Sequence, residues 1–565
     1  MKNVFIAIGG SGAKVAEALV RLLALGCPTR KQNGVYTSAG DTLQLWRIDP
    51  DRSAGAAVAL QNAIRQYQDM QKHLSDTSQA GSLASSRWAM DLDTRIRDLD
   101  PLQLPRAADT DNENKSLGGV LDSQYRNNLK RSTPLLAPFY AKKDLEVQID
   151  RGFYQKPFIG AAIMAIFADS LETESSPGGK EAGLTAFHNN QTNFFVCGSL
   201  HGGTGACGVP VMGKFLGARK KANPTWGWRV GACLLAPYCV PPQPPFKALK
   251  EGEEPDEQMV RDLVKAHVDH PAFADLSPEK KEELVKQILH GFYADPADME
   301  ARARQGLAYY KDYSADYFDE LYLVGKPEPD KLTVWSNGGN SQRNPLNSAE
   351  VVAATAALNF FTGAATGDSQ SYVVGASTSD MDSQKMRLRH LPKYRLGAAG
   401  GGEEIDPEKV FLATAVMRHL LLHQIRWDVP AKNWAGIEQL RHIYMGNEKK
   451  QEDDQELYSR ALELMAGAML SVIAPNQTIG WDGTDTARIS EYLSGDPTKI
   501  NEISGRMAKR FMRGEPTGAL DLGNSLVKLT TVEFGKWFPT GTQFSRGEYL
   551  RYVWSQVFTR IQDIA

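Results

Sequence analysis

Cysteine is scarce in this 565-residue chain: Cys27, Cys197, Cys207, Cys233 and Cys239 are an odd number, with no CxxC pair. That pattern excludes a disulfide framework and a zinc site, and it is the usage of a reduced, cytosolic protein. Long hydrophobic runs are missing as well. No stretch reaches about 18 uninterrupted apolar residues, so no membrane span is expected. The opening MKNVFIAIGG runs straight into a strand pattern and not into an apolar leader with a cleavage site. Neither sign of charge is in excess: 64 Lys and Arg stand against 67 Asp and Glu, a net charge of −3. Without a basic surplus to neutralise phosphates, no nucleic-acid partner is expected. What is present is ordinary globular usage, 42% hydrophobic and 23% charged, which excludes global disorder. At roughly 100–200 residues per domain, the length implies two or more structural units. The expectation is a soluble, cytoplasmic protein.

Residues 3–8 (NVFIAI) form a short apolar run, followed by Gly9-Gly10-Ser11-Gly12 and a helical stretch to Leu25 with Gly26 as its C-cap. Residues 42–48 alternate like a strand and end at Asp49-Pro50-Asp51, and a helix is expected at 54–74. The polar stretch 76–145 reads as an insertion or loose excursion, and 152–170 as a loop leading into a short buried helix. A second sharp strand–loop–helix lies at 193–221: NFFVCGSL, the loop HGGTGACG, then a helix with Pro210 near its start and a basic last turn. Strands are expected at 228–236, 320–325 and 371–376. The charged insertion 250–312 is helical, with Ser277 as N-cap and Pro278 at the first helical position. Helix 346–361 is apolar nearly all round, so it is buried. Strands alternating with helices indicate an α/β fold with a doubly wound, mostly parallel sheet over residues 1–395. Past the Gly400-Gly401-Gly402 patch, a mainly helical C-terminal domain is expected at 403–565.

Two glycine-rich loops each follow a strand and open a helix. In an open α/β sheet such loops gather at the carboxyl ends of the strands, where ligands bind. Glycine lets backbone approach a phosphate closely, and a helix N-terminus offers N–H groups and partial positive charge. The other reading is a pair of tight turns with close helix–strand packing. No GxxxxGK[ST] string occurs, and Gly10-Ser11-Gly12-Ala13-Lys14-Val15 lacks the third glycine of the dinucleotide fingerprint. An NAD(P) oxidoreductase and a P-loop NTPase are both disfavoured.

The strand NFFVCGSL followed by His201-Gly202-Gly203-Thr204-Gly205-Ala206-Cys207-Gly208-Val209-Pro210 resembles the tubulin/FtsZ signature, GGGTGTG with a proline shortly after it. His201 replaces the first glycine, and Ala206 and Cys207 the last two residues. Ile8-Gly9-Gly10-Ser11-Gly12 is similar to that family's first phosphate loop, with Lys14 where FtsZ has asparagine, and Asp49 to the acidic end of its second strand. Gly152 and the string Lys156-Pro157-Phe158-Ile159-Gly160 match the third loop, whose FtsZ form ends NPxxG. The helix opening at Asn347 resembles the central helix, whose first asparagine contacts guanine. The five elements come in the family's order and cover roughly residues 1–375. The resemblance implies a divergent prokaryotic tubulin-like protein that binds GTP or GDP, with Mg²⁺ held through the nucleotide. It places Gly9, Gly10, Ser11, Gly12, Lys14, Asp49, Lys156, Gly160, His201, Gly202, Gly203, Thr204, Gly205 and Ala206 around the phosphates, and Asn344 and Asn347 at the base. The family's GxxNxD, presented to the next subunit, is not reproduced in Gly363-Ala364-Ala365-Thr366-Gly367-Asp368-Ser369. Asp368 is the only nearby carboxylate able to orient water there, and is otherwise a turn residue. Two functions follow: a slow GTPase acting in self-assembly or in a multiprotein complex, or a non-hydrolysing scaffold recruiting partners through its helical C-terminal region.

Other groupings carry less. His419 and His423 share a helix face without a third ligand, and helix packing explains them. His267 and His270 are similar. His201 either donates to a phosphate or packs beneath the loop. The acidic run at 251–257 is a solvated loop, and Ser11 and Ser199 sit in no GxSxG elbow. The last helix, 548–562, places Leu550, Val553, Trp554, Val557, Phe558 and Ile561 on one face, for its own domain or for a partner.

Overall fold

The computed structural model describes most of residues 2–375 and two short strands at 394–396 and 403–405. The expectations for Gly26, for Asp368 and its neighbours 363–369, for His419 and His423, and for the helical region after residue 405 lie outside the described residues.

Seven strands make one sheet: β1 (Lys2–Ile8), β2 (Thr42–Ile48), β3 (Asp91–Asp93), β4 (Thr192–Ser199), β5 (Arg229–Leu235), β6 (Glu320–Gly325) and β7 (Gln370–Gly375). Their spatial order is β7-β6-β5-β4-β1-β2-β3, and every neighbouring pair is parallel. The chain starts in the middle, builds out to one edge through β2 and β3, and resumes on the other side of β1 with β4. This is the doubly wound order extended by one strand, and its reversal falls between β1 and β4. β4 is buried along its whole length and β1 at every residue but the first. Their middles, VFIAI and FFVCG, read as unbroken apolar runs because both of their faces are covered.

The covering helices are α1 (Gly9–Ala24), α2 (Gly55–Ser75), α3 (Leu117–Arg126), α4 (Pro157–Thr173), α5 (Gly203–Ala222), α6 (Glu257–Ala266), α7 (Pro278–Leu289), α8 (Pro296–Tyr317) and α9 (Ser348–Thr362). Side chains of β1 point alternately to the two layers. Val4, Ile6 and Ile8 join Met164 of α4 and Val209 and Met212 of α5 in one core. Phe5 turns the other way onto Phe195, which meets Phe360 of α9. α1 packs on α2 and α9, and α4 on α5. Each fully buried Val, Ile or Phe stabilises by about 1.5–3 kcal/mol. The insertion holds a small core of its own, with Val260, Phe273, Val285 and Ile288. There Ser277 caps α7 by accepting from the Lys280 N–H, with Pro278 first in the helix, as the sequence suggests. Among the described residues no helix is long and apolar enough to cross a membrane.

Two expectations need correction. The stretch 76–145 is more than an excursion, since β3 extends the sheet beside β2 and α3 packs into the main core. The second glycine loop is also shorter than its string implies. α5 begins at Gly203, so the GGTG core forms its first turn and Pro210 lies inside the helix, not near its start. Close packing on β4 overrides glycine's poor helix propensity here. A Cβ on Gly205 would lie 2.6 Å from the Ser199 nitrogen, so only glycine lets the turn come that near.

Candidate functional site

The reversal between β1 and β4 brings the glycine loops together at the carboxyl edge of the sheet. β1 passes into α1 through Gly9, whose φ of +72° suits glycine, and a Cβ there would approach Thr204 Cβ to 3.2 Å. Gly152, at φ +109°, faces the same threonine: its Cβ position is 3.9 Å from Thr204 Oγ1. Thr204 is buried, and Gly202 donates its N–H to the Ser199 hydroxyl at 3.2 Å, which braces the β4–α5 turn. Three loops far apart in sequence thus meet at one threonine.

The glycines differ in what they do. Gly9 makes the tight turn. Gly10 is exposed and a Cβ on it would meet nothing within 4 Å, so its backbone borders open space. Gly12 is packed: its Cβ would lie 2.7 Å from the Cys197 carbonyl oxygen. Turn, open approach and helix–strand packing are the three roles of a dinucleotide fingerprint, here compressed into four residues. Gly160 belongs to the packing class, wedged between Phe153 and Cys207. α1 and α5 carry no acidic residue in their first turns, and α5 has Gly202 as N-cap with no side-chain bond. By contrast α6, α7 and α8 are capped by Asp256, Ser277 and Asp295 and have an acid in the first turn. α2, α3 and α4 also lack an acid there, so the feature is shared, but it leaves the partial positive charge of the α1 and α5 termini uncompensated by their own first turns.

Asp49 ends β2 next to Gly9, because Ile8 and Ile48 are register partners on adjacent strands. Its carboxylate accepts from the Asp51 N–H at 3.0 Å, and burial pushes its pKa up to about 7. His201 is buried, its Nδ1 makes no hydrogen bond, and burial with Arg302 nearby holds its pKa down at about 4. It is neutral at physiological pH.

The charged residues assigned to phosphate have protein partners. Lys14 Nζ lies 3.3 Å from Glu350 Oε1, and Lys156 Nζ lies 3.1 Å from Asp144 and 4.0 Å from the centre of the Phe292 ring. Burial holds the Lys156 ammonium below the usual lysine range, against the pull of Asp144. Glu350 is a buried hub. Its Oε2 accepts the Asn347 N–H at 2.6 Å, and the Tyr238 hydroxyl donates at 2.7 Å to Oε1, the oxygen that faces Lys14. Ser11 bonds Tyr238 in turn. Burial raises the Glu350 pKa, with Lys14 foremost among the opposing influences. Asn347 Oδ1 accepts from the Ala349 N–H at 3.1 Å, so Asn347 and Glu350 form a reciprocal capping box at the start of α9. Asn344 is half-buried just before it. Gly203 and Gly205 are buried in α5's first turn, while Ala206 faces away into a groove between helices. Sequence reasoning missed Glu350 and Tyr238, and weighed Ser199 only as a nucleophile, not as the brace of the β4–α5 turn. The N-x-x-E spacing of Asn347 and Glu350 was the available signal.

No known protein-family model matches the chain, and no curated protein matches it.

Proposed function

We propose that the chain is a tubulin/FtsZ-like GTP-binding protein whose nucleotide lies across the crevice between β1 and β4. One observation supports this above the others: three loops converge on Thr204 at the strand-order reversal, with Gly10 bordering open space. Phosphates would be held by backbone N–H groups of α1 and α5 and by their partial positive charge. The site fits such a group because neither α1 nor α5 has an acid in its first turn and the N-cap of α5, Gly202, makes no side-chain bond. Mg²⁺ would arrive with the nucleotide, and Asp49 is the carboxyl whose ionisation a nearby cation would favour. The preference for guanine, and with it Asn344 and Asn347 as base contacts, rests on the resemblance of the sequence motifs. In this reading the protein is a slow GTPase that acts in self-assembly or in a multiprotein complex.

A second reading, a non-hydrolysing scaffold that binds nucleotide for stability, is favoured by the lysines. Lys14 and Lys156 are committed to Glu350 and Asp144, which leaves phosphate to backbone groups, and residues 363–369 lack GxxNxD. Mass spectrometry of nucleotide released from the purified full chain tests the family reading. GDP or GTP supports it and NAD(P) overturns it. An empty protein that also takes up no added GTP overturns both readings, since each requires bound nucleotide.

A further inference from the structure

α8 lies over the outer side of the β4–α5 turn, where a Cβ on Gly306 would come within 3.2 Å of Leu200 Cδ2. Between α4, α5 and α8 runs a groove of about 780 Å³, within the roughly 300–1,000 Å³ typical of small-molecule sites. Its floor is apolar, made by Leu200, Cys207, Pro210 and Val211, and its walls are aromatic, with Phe158, Tyr309 and Tyr310. Phe158 is 46% exposed and Tyr309 38% exposed, so large apolar rings stand open to solvent at its mouth. Burial pushes the Cys207 thiol and the Tyr310 hydroxyl well up, so both are neutral.

The charge of the lining is one-sided. Lys156, Lys214 and Arg302 border the groove, and among the described residues no carboxylate does. Asp144 holds Lys156 from behind, and Asp298 meets Arg302 at 3.0 Å on the exposed side of α8, a surface pair of little strength. Lys214 is exposed and makes no ion pair among the described residues. The floor also has a break in its hydrogen bonding. Pro210 has no N–H to give the Ala206 carbonyl, and both residues line the groove.

We propose that this groove is a second ligand site, for a small amphiphilic organic anion. Its aromatic or aliphatic body lies on Leu200, Val211 and Tyr309, and its acidic head faces Lys214 and Arg302. The proposal does not depend on what the crevice binds. A hydrophobic body is required because most of the lining offers no polar partner, and a single negative head is required because exposed Lys214 and half-buried Arg302 border a lining that holds no carboxylate among the described residues.

The test uses two dyes with nearly the same body, anionic 1-anilinonaphthalene-8-sulfonate and neutral N-phenyl-1-naphthylamine, titrated by fluorescence into the full chain. The sulfonate should bind more tightly than the neutral dye. Lys214→Glu should weaken the sulfonate about tenfold, the size of one lost charge-assisted contact, and leave the neutral dye unchanged. Lys265→Glu on α6 serves as the surface control. Ala161→Phe, which fills the groove from α4, should remove binding of both dyes. Gly10→Asp, which alters the crevice, should leave both intact. Equal affinity for the two dyes, an effect of Lys214→Glu no larger than that of Lys265→Glu, or loss of dye in Gly10→Asp would each overturn the assignment.

Discussion

A Cβ on Gly10 would enter open space, whereas one on Gly12 would sit 2.7 Å from a carbonyl oxygen. The string GGSG shows neither fact, because spacing reveals that glycine is needed but not which side of the backbone is crowded. Gly10→Asp should raise the melting temperature slightly, since an acid in a first helical turn contributes about 0.3–1 kcal/mol, yet it should abolish GTP binding. A Gly10→Asp protein that binds GTP as tightly as the parent would remove the first loop from the site. Gly12→Ala should instead destabilise by about 1–3 kcal/mol through overpacking, measurable by denaturant unfolding. Titration adds a pair of opposite effects. Burial lifts Asp49 from 3.8 to about 7, so its contribution to stability is full below 3.8 and is lost as pH rises towards 7. His201 falls from 6.5 to about 4, so its contribution is full above 6.5 and is lost as pH falls towards 4. Asp49→Asn should flatten the first slope and His201→Gln the second, each by up to about 1.4 kcal/mol per pH unit. Stability curves parallel to the parent's across these windows would mean that the groups are solvated.

Strand and helix periodicity carried most of the elements, and α7 with Ser277 and Pro278 starts where its cap signal says. α5 did not follow its signal. Proline usually marks a first turn, but tight contact with β4 drew the glycines before Pro210 into the helix, a tertiary effect that local sequence does not carry. α9 shows the same limit at its entrance. The N-x-x-E box is written in the sequence, but the partners of its glutamate, Lys14 and Tyr238, come from the β1–α1 and β5–β6 regions. Asn347→Ala should cost about 0.5–2 kcal/mol through the lost cap, and Asn347→Asp should restore most of that stability. If Asn347 also reads guanine, Asn347→Asp will regain the melting temperature without regaining GTP affinity. Recovery of both together would leave the residue as a cap and nothing more.

For the whole molecule, alternating strands and helices made the parallel α/β sheet legible, along with the placement of both glycine loops at its carboxyl edge. The sequence could not place β3, whose three residues carry no periodicity and are fixed only by pairing with β2. Turnover belongs to this scale, because in the proposed tubulin-like reading the catalytic acid would come from a second subunit. A chain without GxxNxD should hydrolyse GTP slowly, short of an aligned water by about 10²–10⁴-fold, with a rate per molecule that does not climb with protein concentration. Brisk hydrolysis that accelerates with concentration and collapses in Asp368→Ala would make Asp368 the acid supplied between subunits. α9 has one more consequence. Its first turn is held by Glu350 at the crevice, and near its other end the Phe360 carbonyl accepts from Arg229 at 3.2 Å, with the guanidinium 4.5 Å above the Phe360 ring. Arg229 also pairs with Glu320 at 2.8 Å, and the two residues open β5 and β6 at the amino edge of the sheet. Fifteen residues of helix, about 22 Å at 1.5 Å per residue, are thus pinned at both extremities like a strut. A strut does not fray from one end, so amide hydrogens along α9 should exchange as a single block, and ligand in the crevice should slow that exchange as far away as Phe360.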